Sequence, residues 1–292
     1  MDKLHNMSST ELILNPDGSV YHLNLLPEQI ATTVIFVGDP NRVKRISKHF
    51  DRIDVHTQKR EFVTHTGVFK GFKLSVISTG IGVGNIDIVL NELDALVNLN
   101  LNTGEKLKTQ TTLDIIRIGT SGAIQPDIKV DSSLMSTHGL HLGGLLRSYD
   151  GLKGDLEFER ALNLHRQTPK GLAQPVLVKG NDYLIKKFLP YIDYTGITVT
   201  ADGFYGPQGR EIRLKSSLPH FYNDLQSFSF KGLRLTNLEM ETAMIYGLSE
   251  LLGHRALSLN AILANRSDGK FSLNPDKVVD GLIEKTLDVL TS

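Results

Sequence analysis

Short runs rich in β-branched residues alternate with segments of helical periodicity along most of this chain, and several of the runs end in glycine. The first run is Thr33–Val37, which stops at Gly38-Asp39-Pro40 and is followed by a helical pattern from about Asn41. Buried strands that alternate with helices are typical of α/β proteins. The sequence therefore predicts an α/β fold with a mostly parallel, twisted central sheet between two layers of helices.

The same alternation continues to the carboxyl end. We expect further strands at 74–77, 115–118, 176–178, 197–200 and 256–264, helices over 86–97 and 241–252, and a final amphipathic helix with Val279, Leu282, Ile283, Leu287 and Leu290 on one face. A chain of 292 residues without a break in composition fits one large domain. We place an amino-terminal lead at 1–20, the domain at 21–292 and a polar surface insertion at Asn98–Thr112.

Composition excludes several classes of protein. Lys+Arg and Asp+Glu are both 32, so no general attraction to nucleic acid or to anionic membranes is expected. The chain has no Cys, which excludes disulfides and thiolate chemistry and suits a reducing cytosol. Met1–Asn15 lacks the apolar core of a signal peptide, and no run is long enough to span a bilayer. A cytoplasmic protein is expected.

The segment Phe204-Tyr205-Gly206-Pro207-Gln208-Gly209-Arg210 predicts a tight, irregular loop that carries an amide and a guanidinium two residues apart. Gln208 offers a donor and an acceptor on one flat group, and Arg210 offers a rigid fork of donors. Phe204 adds a face for stacking. Together these side chains could recognise the edge of a small planar heterocycle that carries carbonyl and N–H groups.

Two other segments contain candidate anion-binding groups. Gly38-Asp39-Pro40-Asn41-Arg42 lies at a predicted helix start, where free N–H groups favour an anion, although an ordinary strand-to-helix turn explains it as well. Arg117 lies in an apolar run before the predicted loop Gly119–Gly122, with the Thr120 hydroxyl nearby. A buried Arg needs an anionic partner, which is either a ligand or a carboxylate of the protein.

Asn237-Leu238-Glu239-Met240-Glu241 places two carboxylates around a methionine just before an apolar helix. Residues two apart cannot share one helix face, so the two glutamates are expected to differ in role. Glu241 either complements the helix dipole or holds sugar hydroxyls while Met240 packs against the sugar.

Dinucleotide and metal sites are not predicted. Gly80-Ile81-Gly82-Val83-Gly84 has the wrong spacing for a dinucleotide fingerprint and is interpreted as close packing or backbone contact with a neighbouring group. His138 and His141 have no accompanying ligand pattern. No serine-nucleophile elbow is present.

Six motifs in order, over about His22 to Arg266, resemble the nucleoside phosphorylase-I family and its uridine phosphorylase branch. They are Gly38-Asp39-Pro40-Asn41-Arg42, Arg60-Glu61-Phe62, Ser78-Thr79-Gly80-Ile81-Gly82, Arg117 to Ile124, Phe204 to Arg210 and Glu239-Met240-Glu241. The resemblance implies the nucleoside phosphorylase-like α/β fold. It also implies transfer of a pentosyl group from a pyrimidine base to phosphate, with uridine as substrate.

The resemblance assigns roles to individual residues. It implies phosphate binding by Gly38, Arg42, Arg60, Arg117 and Thr120; ribose binding by His22, Met240 and Glu241; and base binding by Gly122, Phe204, Gln208, Arg210 and Arg266. The groups expected to act in catalysis are Arg117, Gln208, Arg210 and Glu241. Arg266 stands where the purine branch has a catalytic aspartate and so favours a pyrimidine, while Asp268 nearby keeps a purine base open.

The resemblance further implies a homodimer, or a hexamer of dimers, whose sites are shared, with Arg60 and His22 supplied by the neighbouring subunit. No cofactor or metal is expected apart from phosphate as co-substrate and a monovalent cation at a subunit contact. The sequence departs from the family at Gly84-Asn85, which leaves that cation open, and at Gly206-Pro207 in the base loop. A purine nucleoside phosphorylase, a nucleosidase of the same fold and a non-catalytic nucleoside-binding module are the alternatives.

Overall fold

The computed structural model describes residues 10–167 and 171–292, and these residues form two compact units. The first unit comprises the described residues up to Gly80 together with Asn85–Ile115, and the second comprises Ile81–Gly84 and the described residues from Ile116 to Ser292. Residues 1–9 of the expected amino-terminal lead lie outside the described residues. The boundary between a lead at 1–20 and a domain at 21–292 stays a prediction.

The first unit is a small mixed sheet with helices. Its elements are β1 (Thr33–Val37), α1 (Pro40–Ser47), β2 (Arg52–Lys59), β3 (Phe62–Phe69), β4 (Phe72–Ser78) and most of α2 (Val83–Asn98). The strands lie in the order β1-β4-β3-β2. β1 pairs with β4 in parallel, while β4–β3 and β3–β2 are antiparallel because short turns connect them.

The second unit contains most of β5 and all later elements. They are β5 (Asp114–Ala123), β6 (Ser133–His141), α3 (Leu156–Arg166), β7 (Val176–Lys179), α4 (Asp182–Phe188), β8 (Tyr194–Thr200), α5 (Phe221–Ser227), β9 (Ser229–Phe230), β10 (Leu233–Glu239), α6 (Thr242–Leu252), β11 (Arg255–Asn265), β12 (Lys270–Phe271) and α7 (Pro275–Leu290). The first unit also contains a short 3₁₀ helix at Pro27–Gln29, and the second contains three, at Leu145–Ser148, Leu189–Tyr191 and Gly206–Gln208.

The strands of the second unit are ordered β12-β11-β6-β8-β10-β5, and β11 also pairs with β5, which closes a circuit. β6, β8 and β10 are mutually parallel, as expected. The other pairings with a described register, β10–β5, β11–β6, β6–β7, β9–β10 and β11–β12, are antiparallel. The α/β class is confirmed, but the strands are mixed in direction rather than mostly parallel.

Helix α6 is the most buried helix of the second unit, and residues from Thr242 to Ser249 are all buried. It packs against β6, β7, β8 and β11, which explains why its sequence is apolar on every side. It ends at Gly253, whose φ of 77° is the left-handed conformation that glycine adopts at helix ends. This packing fixes the start of α6, and with it the Glu239–Glu241 segment.

Most of the expected elements are confirmed, and one boundary is wrong. The strand predicted at 115–118 continues to Ala123, so Thr120 and Gly122 lie within β5 rather than in a loop. The reason is tertiary, since β10 pairs with the end of β5 and places Leu238 opposite Gly122. The insertion at Asn98–Thr112 is mostly exposed, as predicted. Within the described ranges, no helix is long and apolar enough to cross a membrane.

Candidate active site

Arg117 is a buried arginine on β5 whose guanidinium is surrounded by acceptors. Its Nη2 donates to Glu241 Oε2 at 2.6 Å and lies 3.1 Å from Glu239 Oε2. Its Nη1 donates to Asn260 Oδ1 at 3.0 Å and lies 3.4 Å from Ser258 Oγ. Of the two partners that the sequence left open for Arg117, a ligand or a carboxylate of the protein, the structure shows the carboxylate.

The absence of a side chain at Gly119 leaves space for the Arg117 guanidinium. Residues two apart on a strand point to the same face, and a Cβ at Gly119 would overlap the Arg117 guanidinium. A glycine at this position lets the guanidinium lie flat over the backbone of its own strand.

The two glutamates beside Met240 have different roles, as predicted. Glu239 accepts the backbone N–H groups of Glu241 and Thr242 and the hydroxyl of Thr200, so it satisfies free donors at the start of α6. Glu241 instead directs its Oε2 to Arg117 and accepts the backbone N–H of Gly82 at Oε1, at 2.7 Å. Glu239 thus caps the start of α6 in addition to its contact with Arg117, whereas Glu241 joins Arg117 to the backbone of Gly82.

Burial and opposite charge act against each other in this cluster. Burial raises the pKa of Glu241 above its usual value and the nearby Glu239 adds to that, while Arg117 opposes it. Burial by itself would lower the pKa of Arg117, but the two carboxylates outweigh it and the pKa is raised. The cluster is a buried cation between two carboxylates.

The glycine loop acts through its backbone, as predicted. Gly82, with φ of 96°, donates its N–H to Glu241, and Met240 packs beside it. Within the first unit, Gly80 packs against the side chain of Asn85, whose amide donates to Glu61 at 3.2 Å.

The base loop brings together the residues that the sequence grouped there. Arg210 Nη1 donates to the Phe204 carbonyl at 2.6 Å and to Gln208 Oε1 at 2.5 Å, and its guanidinium stacks on the Phe204 ring at 3.9 Å. Gln208 is buried, whereas Phe204 is about half exposed. Since Gln208 Oε1 is oriented toward Arg210, its NH₂ group is left to donate elsewhere.

Arg266 joins this loop from the end of β11. Its Nη1 donates to the Gln208 carbonyl at 2.7 Å, and its guanidinium lies 5.1 Å from the Tyr222 ring. Burial, and then the charge of Arg266, lower the pKa of Arg210, and burial lowers the pKa of Arg266. Two adjacent cations favour a ligand group that carries or gains negative charge.

Asp268 lies at the surface beside Lys270, and its charge acts on Tyr222, the ring beside Arg266. It is exposed, pairs with Lys270 Nζ at 2.6 Å and accepts the Lys270 N–H. The hydrogen bond from the Lys270 side chain is the main cause that lowers the pKa of Asp268. Asp268 is therefore an ion-paired surface carboxylate.

The remaining predicted residues occupy three places. Gly38 follows β1, and Arg42 lies half-buried in the first turn of α1, where Asp39 caps the helix by accepting the Asn41 N–H. Arg60 is exposed in the turn between β2 and β3 with φ of 55°. Thr120 and Gly122 follow Arg117 along β5, both half-buried.

His22 is held by Glu92, a residue that sequence analysis missed. His22 Nδ1 lies 2.6 Å from Glu92 Oε1, and the same buried carboxylate accepts the backbone N–H groups of His22 and Leu23. The available signal was a Glu among the apolar residues of α2. Asn260 and Ser258, which hold Arg117, are likewise polar residues among the apolar residues of β11, and sequence analysis missed them as well.

Comparison with known proteins identifies the family. Residues 32–290 match the profile of the phosphorylase superfamily. A uridine phosphorylase of Thermococcus kodakarensis is 31% identical over 273 residues, 92% of this chain and 86% of that protein. A uridine phosphorylase of Haemophilus influenzae is 32% identical over 250 residues, 85% of this chain and 87% of that protein.

A solved structure agrees with these relatives. The crystal structure of a Trypanosoma brucei nucleoside phosphorylase, described as showing uridine phosphorylase activity, matches with a TM-score of 0.84 and 27% identity. The match covers 96% of this chain and 99% of that one. By the extent of its sequence match and by its fold, the chain belongs to the phosphorylase superfamily.

Proposed function

We propose that this protein catalyses the phosphorolysis of a pyrimidine nucleoside, converting uridine and phosphate to uracil and ribose 1-phosphate. The observation that carries the proposal is the base loop, where Gln208, Arg210 and Arg266 bring an amide and two guanidinium groups together. Two of the relatives are named uridine phosphorylases, which agrees with this chemistry.

The reaction needs charge stabilisation more than proton transfer. A phosphate oxygen attacks C1′ of the ribose while the bond from C1′ to the base nitrogen breaks, and the electron pair leaves with the base. Because phosphate is already an anion, no general base is needed to generate the nucleophile. Arg210 and the Gln208 NH₂ group would bind the base carbonyls most strongly as negative charge develops there.

Glu241 would hold the ribose hydroxyls as an acceptor, with Met240 against the sugar and His22 at its far end. Gly38, Arg42, Arg60, Arg117 and Thr120 would bind phosphate. Arg117 is paired with Glu241 at 2.6 Å, so binding phosphate through Arg117 would require this ion pair to rearrange.

The position of Asp268 disfavours the purine alternative. A purine base leaves most readily when an acid protonates its imidazole ring, so a carboxylic acid is needed beside it. Asp268 pairs with Lys270 at the surface, and this ion pair favours its ionised form over the acid. We propose no cofactor beyond phosphate as co-substrate, and we place the activity in the cytoplasm.

Release of base from a nucleoside panel tests the function. We expect uracil release from uridine to depend on phosphate, with a higher kcat/KM than base release from inosine or adenosine. Treatment of the protein with a metal chelator should leave this activity unchanged. Base release without phosphate would indicate a hydrolytic nucleosidase, and saturable binding without turnover would indicate a binding module. A higher kcat/KM for inosine would overturn the pyrimidine assignment.

We also propose that the active site is shared between two subunits of a homodimer, or of a hexamer built from dimers, with Arg60 acting in the neighbouring subunit. Arg60 is exposed at a turn, and none of the described carboxylates is recorded as pairing with it. A cation of this kind is available to a ligand or to another subunit. A monovalent cation at the subunit contact remains part of the proposal and is tested by activity in sodium, potassium and Tris buffers.

Mixing two inactive variants tests the shared site. We expect Arg60→Ala and Glu241→Ala, mixed under conditions that exchange subunits, to regain activity, because one site of each mixed dimer carries neither lesion. Random pairing of equal amounts limits the recovery to about one quarter of the wild-type sites. Absence of recovery, with exchange demonstrated by mass spectrometry of the mixed dimer, would place Arg60 in its own subunit's site or in none.

A further inference from the structure

The base loop has little regular structure to hold it in place. Between the end of β8 at Thr200 and Arg210, its only regular element is the 3₁₀ turn Gly206–Gln208. Its recognition groups depend on one another, because Arg210 bonds both the Phe204 carbonyl and Gln208 Oε1. A displacement of the loop's first residues would therefore move all of these groups.

A buried histidine anchors the start of this loop. His141, the last residue of β6, is fully buried, and its Nε2 lies 2.7 Å from Oδ1 of Asp202. Asp202 is two residues before Phe204 and keeps 44% of its side chain exposed. Gly143 makes space for this contact, because a Cβ at that position would overlap the Asp202 carboxylate.

The hydrogen bonds assign a tautomer to His141. Its Nδ1 is buried and has no hydrogen-bond partner among the described residues. An imidazolium would bury an unsatisfied N–H donor at that atom, which is costly, whereas a neutral ring with its proton on Nε2 leaves only an acceptor there. With its proton on Nε2, His141 donates to Asp202.

We propose that His141 and Asp202 are positioning residues for base recognition, which hold the entry of the base loop so that Phe204, Gln208 and Arg210 meet the nucleoside base. Neither residue was singled out for this role by its sequence pattern. The inference rests on the proposed function, since it assigns the loop to a nucleoside base. The pair is distinct from the contacts of Arg117, whose recorded partners are Glu239, Glu241, Ser258 and Asn260.

A matched pair of variants tests the proposal. His141→Gln keeps an N–H donor at a similar distance, while His141→Leu removes it. We expect His141→Leu to raise the KM for uridine about tenfold with the KM for phosphate unchanged, and His141→Gln to stay near wild type. Asp202→Ala should reproduce His141→Leu, and because Asp202 is partly exposed it provides the test if His141→Leu does not fold.

The outcomes separate positioning from structural support. Equal changes in the two KM values, or equal effects of His141→Gln and His141→Leu, would overturn the proposal. ¹⁵N NMR of the wild-type protein should show a proton on His141 Nε2, and a ring protonated on Nδ1 alone would also overturn the proposal. Failure of wild-type protein to release uracil with phosphate would reject the proposed function instead, and the NMR result would still decide the His141–Asp202 contact.

Discussion

Replacing Arg210 with alanine should lower kcat for uridine by about 100- to 1000-fold, with a smaller rise in KM. The reason is that the proposed hydrogen bonds from Arg210 to the base would strengthen as negative charge develops during bond cleavage. The structure adds a second effect, because Arg210 also orients Gln208 through Oε1 and stacks on Phe204. Steady-state kinetics at saturating phosphate measure both constants.

Two controls define what this result means. Arg213→Ala removes an exposed arginine of the same segment and should change kcat little. Arg210→Lys keeps the charge but not the fork of donors, so it should recover only part of the rate. An increase in KM with kcat unchanged would show that Arg210 binds substrate and transition state equally, and the proposed role in stabilising the leaving base would be wrong.

The sequence predicted the parts of the site that depend on local pattern. The base loop is recognisable because Gly206, Pro207 and Gly209 exclude a strand or a long helix, while Gln208 and Arg210 are the polar groups between them. The spacing of Glu239 and Glu241 indicated two roles, but the helix-face reason does not apply because α6 begins only at Thr242, and both carboxylates reach Arg117 Nη2. In the base loop the physical constraint acts within a few residues.

The sequence could not predict contacts that depend on tertiary pairing. Arg117 and Glu241 are separated by 124 positions, and His141 and Asp202 by 61. No local periodicity encodes such pairs, and each residue alone has an ordinary explanation. The extension of β5 to Ala123 has the same origin, because it depends on β10 and overrides the tendency of Gly119 and Gly122 to end a strand.

The contact between Arg117 and the two glutamates has the largest expected effect on stability. Arg117→Met removes the charge while keeping much of the side-chain volume, and leaves Glu239 and Glu241 buried without their cation. We expect a loss of about 3–5 kcal/mol in the free energy of unfolding at neutral pH, because breaking a buried ion pair leaves uncompensated buried charge. Urea denaturation of the wild-type protein and of Arg117→Met measures the difference in the free energy of unfolding.

Arg234→Met is the matched control, because Arg234 binds the partly exposed Asp127 at 2.6 Å and should contribute about 1 kcal/mol or less to the free energy of unfolding.

The pH dependence of this loss tests its electrostatic cause. Burial already raises the pKa of Glu241, and removing Arg117 takes away the charge that opposes the rise. Glu241 in the folded variant would then keep a proton at pH values where the unfolded chain, with a glutamate pKa of about 4.3, has released it. The stability of the variant therefore falls as the pH rises from about 4.3 to the raised pKa of Glu241. The loss in the free energy of unfolding relative to wild type should be larger at about pH 8 than at about pH 5. A deficit that is the same at both values would mean that Arg117 stabilises the fold through packing, and that the two carboxylates tolerate its absence.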